Sequence, residues 1–529
     1  MRPLPYLEPD LQESGAQYLE DLATGYWFSE VLFTAVELDI FSSLGPAGAT
    51  AARMAELLQL DSRALERFLE ALCSMGLLSH GEEFFYNTKI ASQYLVKGKE
   101  CYQGNSILWR KYLAASWGSL KEALKAGGRV FEPASQESEE FSEGLPEELS
   151  EELVGRIRRY IRAMDDVARV KVREILPLFE DFSGTILDVG AGSGAVSAGF
   201  LERFPNAAAT LIDLPPVLDF AAELLRQRQC GDRTAFCPAN ILEPWPVEKK
   251  SFDLVILSNV LHAYDQTEAT HLIDEAVDCL SSGGLLLFHD FFLEHRPEKA
   301  ALFDLNMLLN TFNGKVFTAK WVREQLEGKG LHVTDLIVPG SDTGVIIAAR
   351  ETDNLAGLCL DPVSMLAARM RSLGFRNAIR ISVDSIHVPD WTPQRCRFGC
   401  SEYGKPQCPP NSPSPAATRE VLGDYSRALL LEGEPPTRDF QLRVLEAEKE
   451  AFTAGFYKSL AYWAGPCSLC QRKPECTADT TCRNTRMARP SMEAAGIDVF
   501  ETVRRAGLSL RPLKDRDDYV KYFALLLLE

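Results

Sequence analysis

The most constraining stretch of this sequence is TILDVGAGSG at residues 185–194, where an apolar run leads directly into three alternate glycines. A buried strand that ends in a glycine-rich turn lets backbone atoms approach a nucleotide-like ligand closely. The segment VSAGFLERF then predicts a helix, and ATLIDLP predicts a second strand that ends at Asp213. An acidic residue roughly 20 positions after the glycines is placed to hydrogen-bond a ribose diol. This region predicts a βαβ unit that binds such a ligand; a turn with nothing bound is the alternative.

Length and charge limit what the rest of the chain can be. At 529 residues it exceeds what one hydrophobic core usually supports, so about three or four domains are expected. A formal net charge of −19 argues against a nucleic-acid partner, because phosphate binding needs a clustered cationic face. The sequence has no 18-residue apolar run, and its first residues lack the pattern of a signal segment. We therefore expect a cytoplasmic protein with no membrane partner.

The N-terminal third is predicted to be mostly helical. Residues 1–98 show helical apolar spacing followed by a short hairpin around EEFFYNT, which predicts a winged-helix module. Such modules often bind DNA, but the acidic chain favours a role in packing and dimerisation. Residues 99–180 are predicted to form a helical connector. It contains an acidic run, with nine glutamates and no Lys or Arg between Glu132 and Leu153, which is typical of a solvated surface.

Residues 181–351 alternate between strand-like and helix-like segments, which predicts βαβ units and a mainly parallel sheet. Ligands in such sheets bind beyond the carboxyl ends of the strands, where Asp188, Asp213, Asn240 and the segment 258–262 are all expected. The predicted strands are TILDVGAG, ATLIDLP, TAFCPAN, FDLVILSNV, GLLLFHDFF, LHVTDLIV and TGVIIAAR.

The segments ILDVGAGSG, DLPPVL, SNVLHAYDQTEA, SSGGLLLFHDFFL and NMLLNTFNGKVFT carry a family resemblance. Over roughly residues 15–350, the chain resembles the class I S-adenosylmethionine-dependent O-methyltransferases of the plant phenolic and hydroxyindole type and their bacterial relatives. The resemblance implies a Rossmann-like domain that binds S-adenosylmethionine, preceded by a winged-helix domain used to form a homodimer.

The resemblance also implies a cofactor site, residue by residue. Three glycines would approach the methionine part of the cofactor, Asp188 would anchor their loop, and Asp213 would take the ribose hydroxyls. Asn240 and Ile241 would lie against the adenine, with Asn240 standing where the family usually has aspartate. Ser258 occupies a position that is lysine in plant members. The predicted cofactor-binding residues are Asp188, Gly190, Gly192, Gly194, Asp213, Asn240, Ile241 and Ser258.

His262 matches the general base of the family, and the chemistry agrees independently. A neutral hydroxyl is a poor nucleophile, and an imidazole can remove its proton as the methyl group is transferred, an effect of about 10²- to 10⁴-fold. A hydrogen-bonded histidine with a purely structural role is the alternative. Plant members orient this histidine with two acids, and Asp290 matches the first. Val316 stands where the second is expected, which predicts an unusually acidic acceptor or an acceptor atom other than oxygen.

Five further residues match positions that line the acceptor pocket in the family. Methionine and phenylalanine are as often ordinary core residues, so core packing is the alternative for them. The predicted pocket residues are Met164, Asn306, Met307, Asn310 and Phe317.

Residues 355–529 have a different composition, and we predict that they form a separate α+β domain that binds metal. Seven of the 13 cysteines lie there, spaced as Cys396-x3-Cys400-x7-Cys408 and Cys467-x2-Cys470-x5-Cys476-x5-Cys482. In a reducing compartment such a group indicates metal ligands rather than disulfides. No histidine lies among them, so four thiolates around an iron–sulfur cluster, of the 4Fe-4S type, fit better than zinc. Zinc and the absence of any metal are the alternatives.

The trio Cys396, Cys400 and Cys408 predicts either a second cluster with one open iron or a share in one larger site. Basic residues surround the second group: Arg472, Lys473, Arg483, Arg486 and Arg489 stand against only two acids. They would offset thiolate charge, or else form a docking patch for an acidic electron carrier.

RCRFGCSEYGKPQCPP, AGPCSLC and ARPSMEAAGIDV resemble a family of uncharacterised, predicted metal-binding proteins of anaerobic prokaryotes, over about residues 358–529. This resemblance implies metal binding and no established reaction. The leading hypothesis is thus a dimeric methyltransferase that acts on a small molecule and carries an iron–sulfur domain. One alternative is a cofactor-binding redox enzyme whose cluster passes electrons to the substrate. The other is a redox-sensing regulator that binds DNA.

Overall fold

The computed structural model describes residues 15–130, 151–338, 340–434, 437–470, 476, 481–513 and 520–529. Most of the acidic run, from residue 132 to residue 150, lies outside them. The chain divides into two compact units, one spanning Leu19–Cys359 and the other Leu360–Glu529. No helix in the described part of the chain combines the length and apolar character needed to cross a membrane.

The first unit begins with short helices and one hairpin. In α5 the buried leucines Leu65, Leu69 and Leu72 recur at helical spacing, and Asp61 caps its start by accepting a hydrogen bond from the backbone N–H of Ala64. The structure thus has the mostly helical N-terminal domain with one hairpin that the sequence predicts; its assignment as a winged helix stays a prediction. The elements are α1 (Ala16–Thr24), α2 (Tyr26–Glu37), α3 (Ile40–Leu44), α4 (Ala51–Leu58), α5 (Ser62–Ser74), β1 (Leu78–Gly81), β2 (Phe84–Asn87) and α6 (Lys89–Tyr94).

Three helices follow: α7 (Gly104–Trp117), α8 (Leu120–Ala126) and α9 (Glu151–Ile175). A buried carboxylate joins two of them, because Asp166 of α9 accepts hydrogen bonds from the backbone N–H groups of Asn105 (2.9 Å) and Ser106 (3.3 Å) at the start of α7. This side chain satisfies amides that have no partner within their own helix.

A seven-stranded sheet forms the centre of the first unit, in the order β5-β4-β3-β6-β7-β9-β8. The strands from β5 to β7 are parallel, and β9 and β8 are antiparallel to their neighbours, so the predicted, mainly parallel sheet is confirmed. Its strands are β3 (Gly184–Val189), β4 (Ala207–Asp213), β5 (Thr234–Pro238), β6 (Phe252–Ser258), β7 (Leu280–Asp290), β8 (His332–Val333) and β9 (Gly344–Ala349).

Helices connect these strands and cover the sheet. They are α10 (Ala195–Arg203), α11 (Pro215–Gln227), α12 (Gln266–Cys279), α13 (Pro297–Asn310) and α14 (Ala319–Gly328), followed by α15 (Thr352–Ala356). The register of the parallel strands brings their carboxyl ends to one edge, where Val189 pairs with Ile212 and Ser258 pairs with His289. This edge carries most of the predicted cofactor and catalytic residues.

The second unit is α+β, as predicted. Its antiparallel sheet has the order β10-β11-β13-β12, and alternate residues of β11 point to opposite faces. Leu429 and Leu431 belong to one apolar cluster and Leu430 to another. The elements are α16 (Pro362–Ser372), β10 (Asn377–Ser382), α17 (Thr392–Gly399), α18 (Pro415–Leu422), β11 (Arg427–Gly433), α19 (Thr437–Thr453), β12 (Leu460–Tyr462), α20 (Val499–Arg505) and β13 (Tyr522–Leu527).

Candidate functional site

The glycine turn after β3 requires glycine for two physical reasons. Gly190, Gly192 and Gly194 all have positive φ (62°, 56° and 71°), which residues with a side chain rarely adopt. A Cβ on Gly190 would lie 2.9 Å from Val260, and one on Gly194 would lie 2.8 Å from Leu211. A Cβ on Gly192 would meet no atom within 4 Å, so the surface of the turn is open at that position. The turn therefore offers a bare backbone surface of the kind a bound nucleoside needs.

Asp213, at the end of β4, holds this turn in place. Its carboxylate accepts hydrogen bonds from the backbone N–H groups of Gly192 and Leu214, both at 2.8 Å. Burial raises the pKa of Asp213, and the hydrogen bonds from the two amides offset part of that rise. The resulting pKa is about 6.

Asp188 is more deeply buried and accepts a hydrogen bond from the hydroxyl of Ser197 at 2.6 Å. Burial raises its pKa to about 7, and the charge of Asp213 raises it further. Because Ser197 belongs to α10, Asp188 fastens that helix to β3 beneath the turn.

The two residues predicted to lie against adenine differ in exposure. Asn240 is exposed, and its side-chain oxygen accepts a hydrogen bond from the backbone N–H of Leu242 at 3.1 Å. Ile241 is buried, and its carbonyl accepts a hydrogen bond from the indole of Trp245 at 2.9 Å. Its Cδ1 lies 3.5 Å from the position of a Cβ on Gly190. Ile241 thus forms an apolar wall beside the glycine turn.

His262 and Asp290 meet across the ends of β6 and β7. The Nδ1 atom of His262 lies 2.5 Å from Oδ1 of Asp290, and the backbone N–H of His262 also donates to Asp290 at 3.4 Å. The backbone N–H of Phe291 donates to the same carboxylate at 2.8 Å. The rings of Phe291 and Phe303 are stacked on each other and meet the imidazole edge-on. The carboxylate and the two rings fix the orientation of the imidazole; the catalytic roles of His262 and Asp290 stay predictions.

Ser258 belongs to a hydrogen-bonded chain that sequence reasoning missed. Its hydroxyl lies 2.8 Å from Nδ1 of His289, and Nε2 of His289 lies 2.8 Å from the hydroxyl of Thr343. Burial lowers the pKa of His289 to about 4, so this imidazole is neutral at physiological pH. The signal available in the sequence was a polar residue at the end of a strongly apolar strand, LLLFHD.

The predicted acceptor-pocket residues lie mainly on α13. Asn306 is buried and accepts hydrogen bonds from Trp117 at 3.3 Å and from Asn310 at 3.1 Å. Met307 is buried, whereas Asn310 and Met164 are partly exposed. Phe317 stacks on Trp321 with the ring centres 4.4 Å apart and belongs to the main apolar cluster. This position agrees with ordinary core packing, the alternative to a role in the acceptor pocket.

Val316, which stands where an orienting acid is expected, is buried. Its backbone N–H donates to Oδ1 of Asp304 at 2.7 Å. Asp304 directly follows Phe303, so this carboxylate holds the segment around Val316 to the helix that contacts the imidazole.

In the second unit, the first cysteine group surrounds the end of α17. Cys396 lies within the helix, Cys400 follows it, and Cys408 lies in a loop closed by hydrogen bonds from the backbone N–H of Gly404 to Pro409 and of Asn411 to Cys408. Burial and the nearby thiols of Cys400 and Cys396 raise the pKa of Cys408 to about 12.

The second cysteine group follows β12. Burial raises the pKa of Cys467, and its three partner thiols raise it further. Asn484 donates a hydrogen bond to Sγ of Cys470 at 3.2 Å. Arg472, Lys473, Glu475 and Asp479 lie outside the described residues, so the predicted charge surplus there has no structural description.

One ion pair lies near members of both cysteine groups. Lys405, paired with Glu402 at 2.5 Å, carries a charge that acts on both Cys408 of the first group and Cys476 of the second. Glu402 also acts on Cys476. Within the described residues, no three Cys, His, Asp or Glu side chains are already placed to hold a metal ion.

Sequence reasoning missed two polar residues beside these cysteines. Gln441 of α19 is fully buried, accepts hydrogen bonds from Ser468, and donates to the carbonyls of Ala464 and Pro466. It therefore holds the strand-to-loop segment that leads into Cys467 and Cys470. Glu493, whose pKa is raised by burial, is a charged neighbour of Cys396.

Family models match three parts of the chain. Residues 20–97 match the O-methyltransferase dimerisation domain, and residues 117–332 match the O-methyltransferase domain. The first unit is an S-adenosylmethionine-dependent O-methyltransferase. The resemblance expected from the motifs is thereby confirmed. Residues 379–528 of this methyltransferase match the predicted metal-binding protein family DUF2284, which does not specify the metal.

Curated relatives support the same assignment. The 3-hydroxy-5-methyl-1-naphthoate 3-O-methyltransferase of Streptomyces sahachiroi is 29% identical over 58% of this chain and 88% of its own length. The acetylserotonin O-methyltransferase of Gallus gallus is 29% identical over 59% of this chain and 91% of its own. Among solved structures, human N-acetylserotonin methyltransferase in complex with S-adenosylmethionine aligns with a TM-score of 0.55 at 24% identity, covering 64% of this chain and 99% of that one. None of these three is named as a redox enzyme, so they give no support to that alternative.

Proposed function

We propose that this methyltransferase transfers a methyl group from S-adenosylmethionine to a hydroxyl group of a small aromatic acceptor, with His262 as the general base. The observation that carries this proposal is the 2.5 Å contact between Nδ1 of His262 and Asp290. The two relatives named above act, by their names, on a hydroxynaphthoate and on acetylserotonin. A compact aromatic acceptor is the chemistry they have in common.

The cofactor fits the edge of the central sheet. The open backbone at Gly192, the carboxylate of Asp213 and the apolar side of Ile241 lie side by side there. We assign Asp213 to the ribose hydroxyls and Ile241, with Asn240, to the adenine. Bound S-adenosylmethionine supplies a methyl group made electrophilic by its sulfonium.

His262 then acts on the acceptor. Because Asp290 accepts the hydrogen bond from Nδ1–H, the Nε2 atom of the imidazole is left free to take the proton of the acceptor hydroxyl. Asp290 stabilises the imidazolium that forms and is a positioning residue, since it acts through His262. The side chain of His262 is only 13% exposed, so little bulk water competes for its Nε2.

The second unit binds metal in this proposal, through Cys467, Cys470, Cys476 and Cys482 and through the adjacent trio Cys396, Cys400 and Cys408. The thiols of each group raise one another's pKa, which disfavours several thiolates side by side. A bound metal cation offsets the repulsion between the thiolates and stabilises them. An all-sulfur ligand set favours an iron–sulfur cluster, and the alternative is zinc.

The enzyme is a homodimer in this proposal, assembled through its N-terminal domain. Leu19, Leu22, Tyr26, Trp27 and Phe28 of α1 and α2 are all exposed. Apolar side chains exposed together on a short stretch are typical of an interaction surface. Light scattering on the full chain is expected to give twice the mass of one chain; the mass of a single chain would contradict it.

Three measurements test the activity, the cofactor site and the metal. Purified protein is incubated anaerobically with methyl-labelled S-adenosylmethionine and a panel of phenols, and we expect label in a methyl ether. Calorimetry is expected to detect binding of the demethylated product, S-adenosylhomocysteine; no binding and no labelled ether would refute the proposal. Absorbance near 400 nm with about four irons per chain is expected for a 4Fe-4S cluster, whereas a colourless protein with stoichiometric zinc would reverse the choice of metal.

A further inference from the structure

Asn484 lies in a turn directly after the second cysteine group and contacts one of its sulfur atoms. The side-chain nitrogen Nδ2 of Asn484 lies 3.2 Å from Sγ of Cys470, which is a hydrogen-bonding distance. Cys482, the last cysteine of the group, stands two residues before Asn484 in the chain. The contact therefore connects the beginning of the second cysteine group with the turn that follows its end.

The backbone of this turn closes it without the side chain of Asn484. The carbonyl of Asn484 accepts hydrogen bonds from the backbone N–H groups of Met487 at 3.0 Å and of Ala488 at 2.8 Å. The side-chain amide donates to Cys470 instead. A substitution that removes the amide therefore leaves the hydrogen bonds of the turn in place.

The chain beyond the turn is fixed to the core of the second unit. Arg489 pairs with Glu448 of α19, and Nε of the arginine lies 3.0 Å from Oε2 of the glutamate. The same carboxylate oxygen accepts a hydrogen bond from the backbone N–H of Ala461 in β12 at 2.8 Å. Trp463, which is fully buried, donates a backbone hydrogen bond to the carbonyl of Pro490 at 3.2 Å. These contacts hold the turn in place independently of the cysteines.

The segment that leads into Cys470 is fixed as well, by α19. Gln441 of this helix is fully buried and donates hydrogen bonds to the carbonyls of Ala464 at 3.2 Å and Pro466 at 3.0 Å. It also accepts hydrogen bonds from the backbone N–H and the hydroxyl of Ser468, both at 2.9 Å. Cys470 follows two residues later, so both partners of the hydrogen bond to sulfur are carried by supported segments.

An amide N–H is the kind of group that a metal-binding cysteine needs as a neighbour. A thiolate ligand carries no proton, so its sulfur accepts hydrogen bonds, and the NH₂ group of asparagine can donate one. Such a bond fixes the direction of the sulfur and withdraws part of its charge. Hydrogen bonds to ligand atoms orient the ligands of a metal site and tune the properties of the metal.

We propose that Asn484 is a positioning residue of the metal site, which holds the sulfur of Cys470 and offsets part of its charge by donating a hydrogen bond to it. This inference rests on the proposed metal binding by the second unit and adds to it a residue that is not itself a ligand. The role is the same for an iron–sulfur cluster and for zinc, because the acceptor is the cysteine sulfur in both cases.

The first measurement is how firmly the full-length, anaerobically purified enzyme holds its metal. Asn484→Leu replaces the amide with an apolar group of similar size and shape, and Asn484→Ala removes it. The EDTA concentration that extracts half of the metal is expected to fall by about 10- to 100-fold in both variants, the usual cost of losing a partner of a metal ligand. Thr485→Ala is the matched control, because Thr485 is the next residue of the same turn and is exposed; its value is expected to equal that of the wild type.

The second measurement distinguishes the hydrogen bond from a general loosening of the loop. If the wild type holds an iron–sulfur cluster, its reduction potential should fall in both variants, because hydrogen bonds to sulfur stabilise the more negative, reduced state. The expected change in the redox equilibrium is up to about 10-fold, or about 59 mV for one electron. If the wild type holds zinc, Co²⁺ is exchanged for it. The sulfur-to-cobalt charge-transfer band should then move to longer wavelength, because a sulfur that accepts no hydrogen bond gives up an electron more easily.

The outcomes separate this inference from the proposed metal binding. A wild-type enzyme without metal would refute the metal binding and the inference together. If the wild type holds metal and the Asn484 variants match it in both measurements, the metal binding stands and the inference is overturned. The inference requires both changes. Easier extraction with an unchanged potential or band would reduce Asn484 to a support of the loop, and a shifted potential or band with undiminished resistance to EDTA would contradict its positioning role.

Discussion

The methyl-transfer edge of the first unit and the cysteine segments of the second place their functional groups in different ways. At the sheet edge, each polar side chain lies at or just after the end of a strand and already has a partner. Asp213 accepts two backbone hydrogen bonds, and His262 is held by Asp290. In the second unit, the cysteines lie in loops or within and just after the short helix α17, and their thiols raise one another's pKa.

The difference indicates two ways of building a site. An edge formed by hydrogen-bonded strands is organised before its ligand arrives, so loss of one side chain there removes chemistry and leaves the scaffold intact. A group of thiols on loops gains much of its order from the ion it binds, so metal binding and local folding are coupled. Gln441, fully buried between α19 and the Cys467 loop, is the main fixed support found there.

The largest effect is expected at the preorganised edge. His262→Ala should reduce kcat by about 10²- to 10⁴-fold, because it removes the general base. Affinity for S-adenosylhomocysteine, measured by calorimetry, should stay within about twofold of wild type, since no cofactor-binding side chain is altered. Undiminished turnover would reassign His262 to a structural role.

Asp290→Asn should lower kcat by at least about 10-fold and by up to about 10⁴-fold, the cost of the same change beside the histidine of a Ser-His-Asp triad. The amide keeps the size of the carboxylate but can donate to Nδ1 and stabilise the wrong tautomer of His262. Steady-state kinetics distinguish this role from mere stability, because kcat should fall while KM and the melting temperature stay close to those of the wild type. An unchanged kcat would contradict the positioning role.

In the cysteine segments, the double variant Cys467→Ser/Cys470→Ser should lose at least about 90% of the bound metal, since serine is a poor ligand for soft metal ions. Metal content is measured by elemental analysis after anaerobic purification. Cys359→Ser is the control, because Cys359 is an exposed free thiol of the first unit. Affinity of the double variant for S-adenosylhomocysteine should remain that of the wild type. Full metal content in the double variant would show that Cys467 and Cys470 are not metal ligands.

Local patterns predicted much of the fold and the edge of the sheet. The strand TILDV and its glycines form a contiguous signal, and parallel β6 and β7 bring His262 to Asp290 although 28 residues separate them. Contacts between distant segments that no motif connects were not predictable. Lys171 and Asp342 are 171 residues apart, and their pairing depends on how α9 packs near the loop before β9.

The cysteine groups show the same limit. The spacing within each group indicated ligands, but no local pattern predicted that Lys405 lies near both Cys408 and Cys476. The hydrogen bonds of Gln441 to the Cys467 loop had no local signal either, because a glutamine in an amphipathic helix is ordinarily solvated.

A smaller effect is expected from the titration of Asp213. Its pKa is raised by burial to about 6, so its carboxyl is protonated at pH 5 and ionised at pH 7. The ionised form is the better acceptor for ribose hydroxyls, and affinity for S-adenosylhomocysteine should therefore rise by up to about 10-fold over this range. The effect on folding has the opposite direction. The pKa of the Asp213 carboxyl is 3.8 in the unfolded chain and about 6 in the folded protein, so the unfolded state is the first to ionise as the pH rises. The free energy of unfolding therefore decreases between about pH 4 and about pH 6.

Asp213→Asn distinguishes the titration of Asp213 from that of the neighbouring Asp188, whose pKa is raised to about 7. The variant should bind S-adenosylhomocysteine more weakly at pH 7 and should lose most of the pH dependence between pH 5 and 7. Asp219→Asn, an exposed position on α11, should retain the wild-type profile. If Asp213→Asn kept the full pH dependence, the titrating group would be Asp188, and the carboxylate that matters for cofactor binding would be the one beneath the turn.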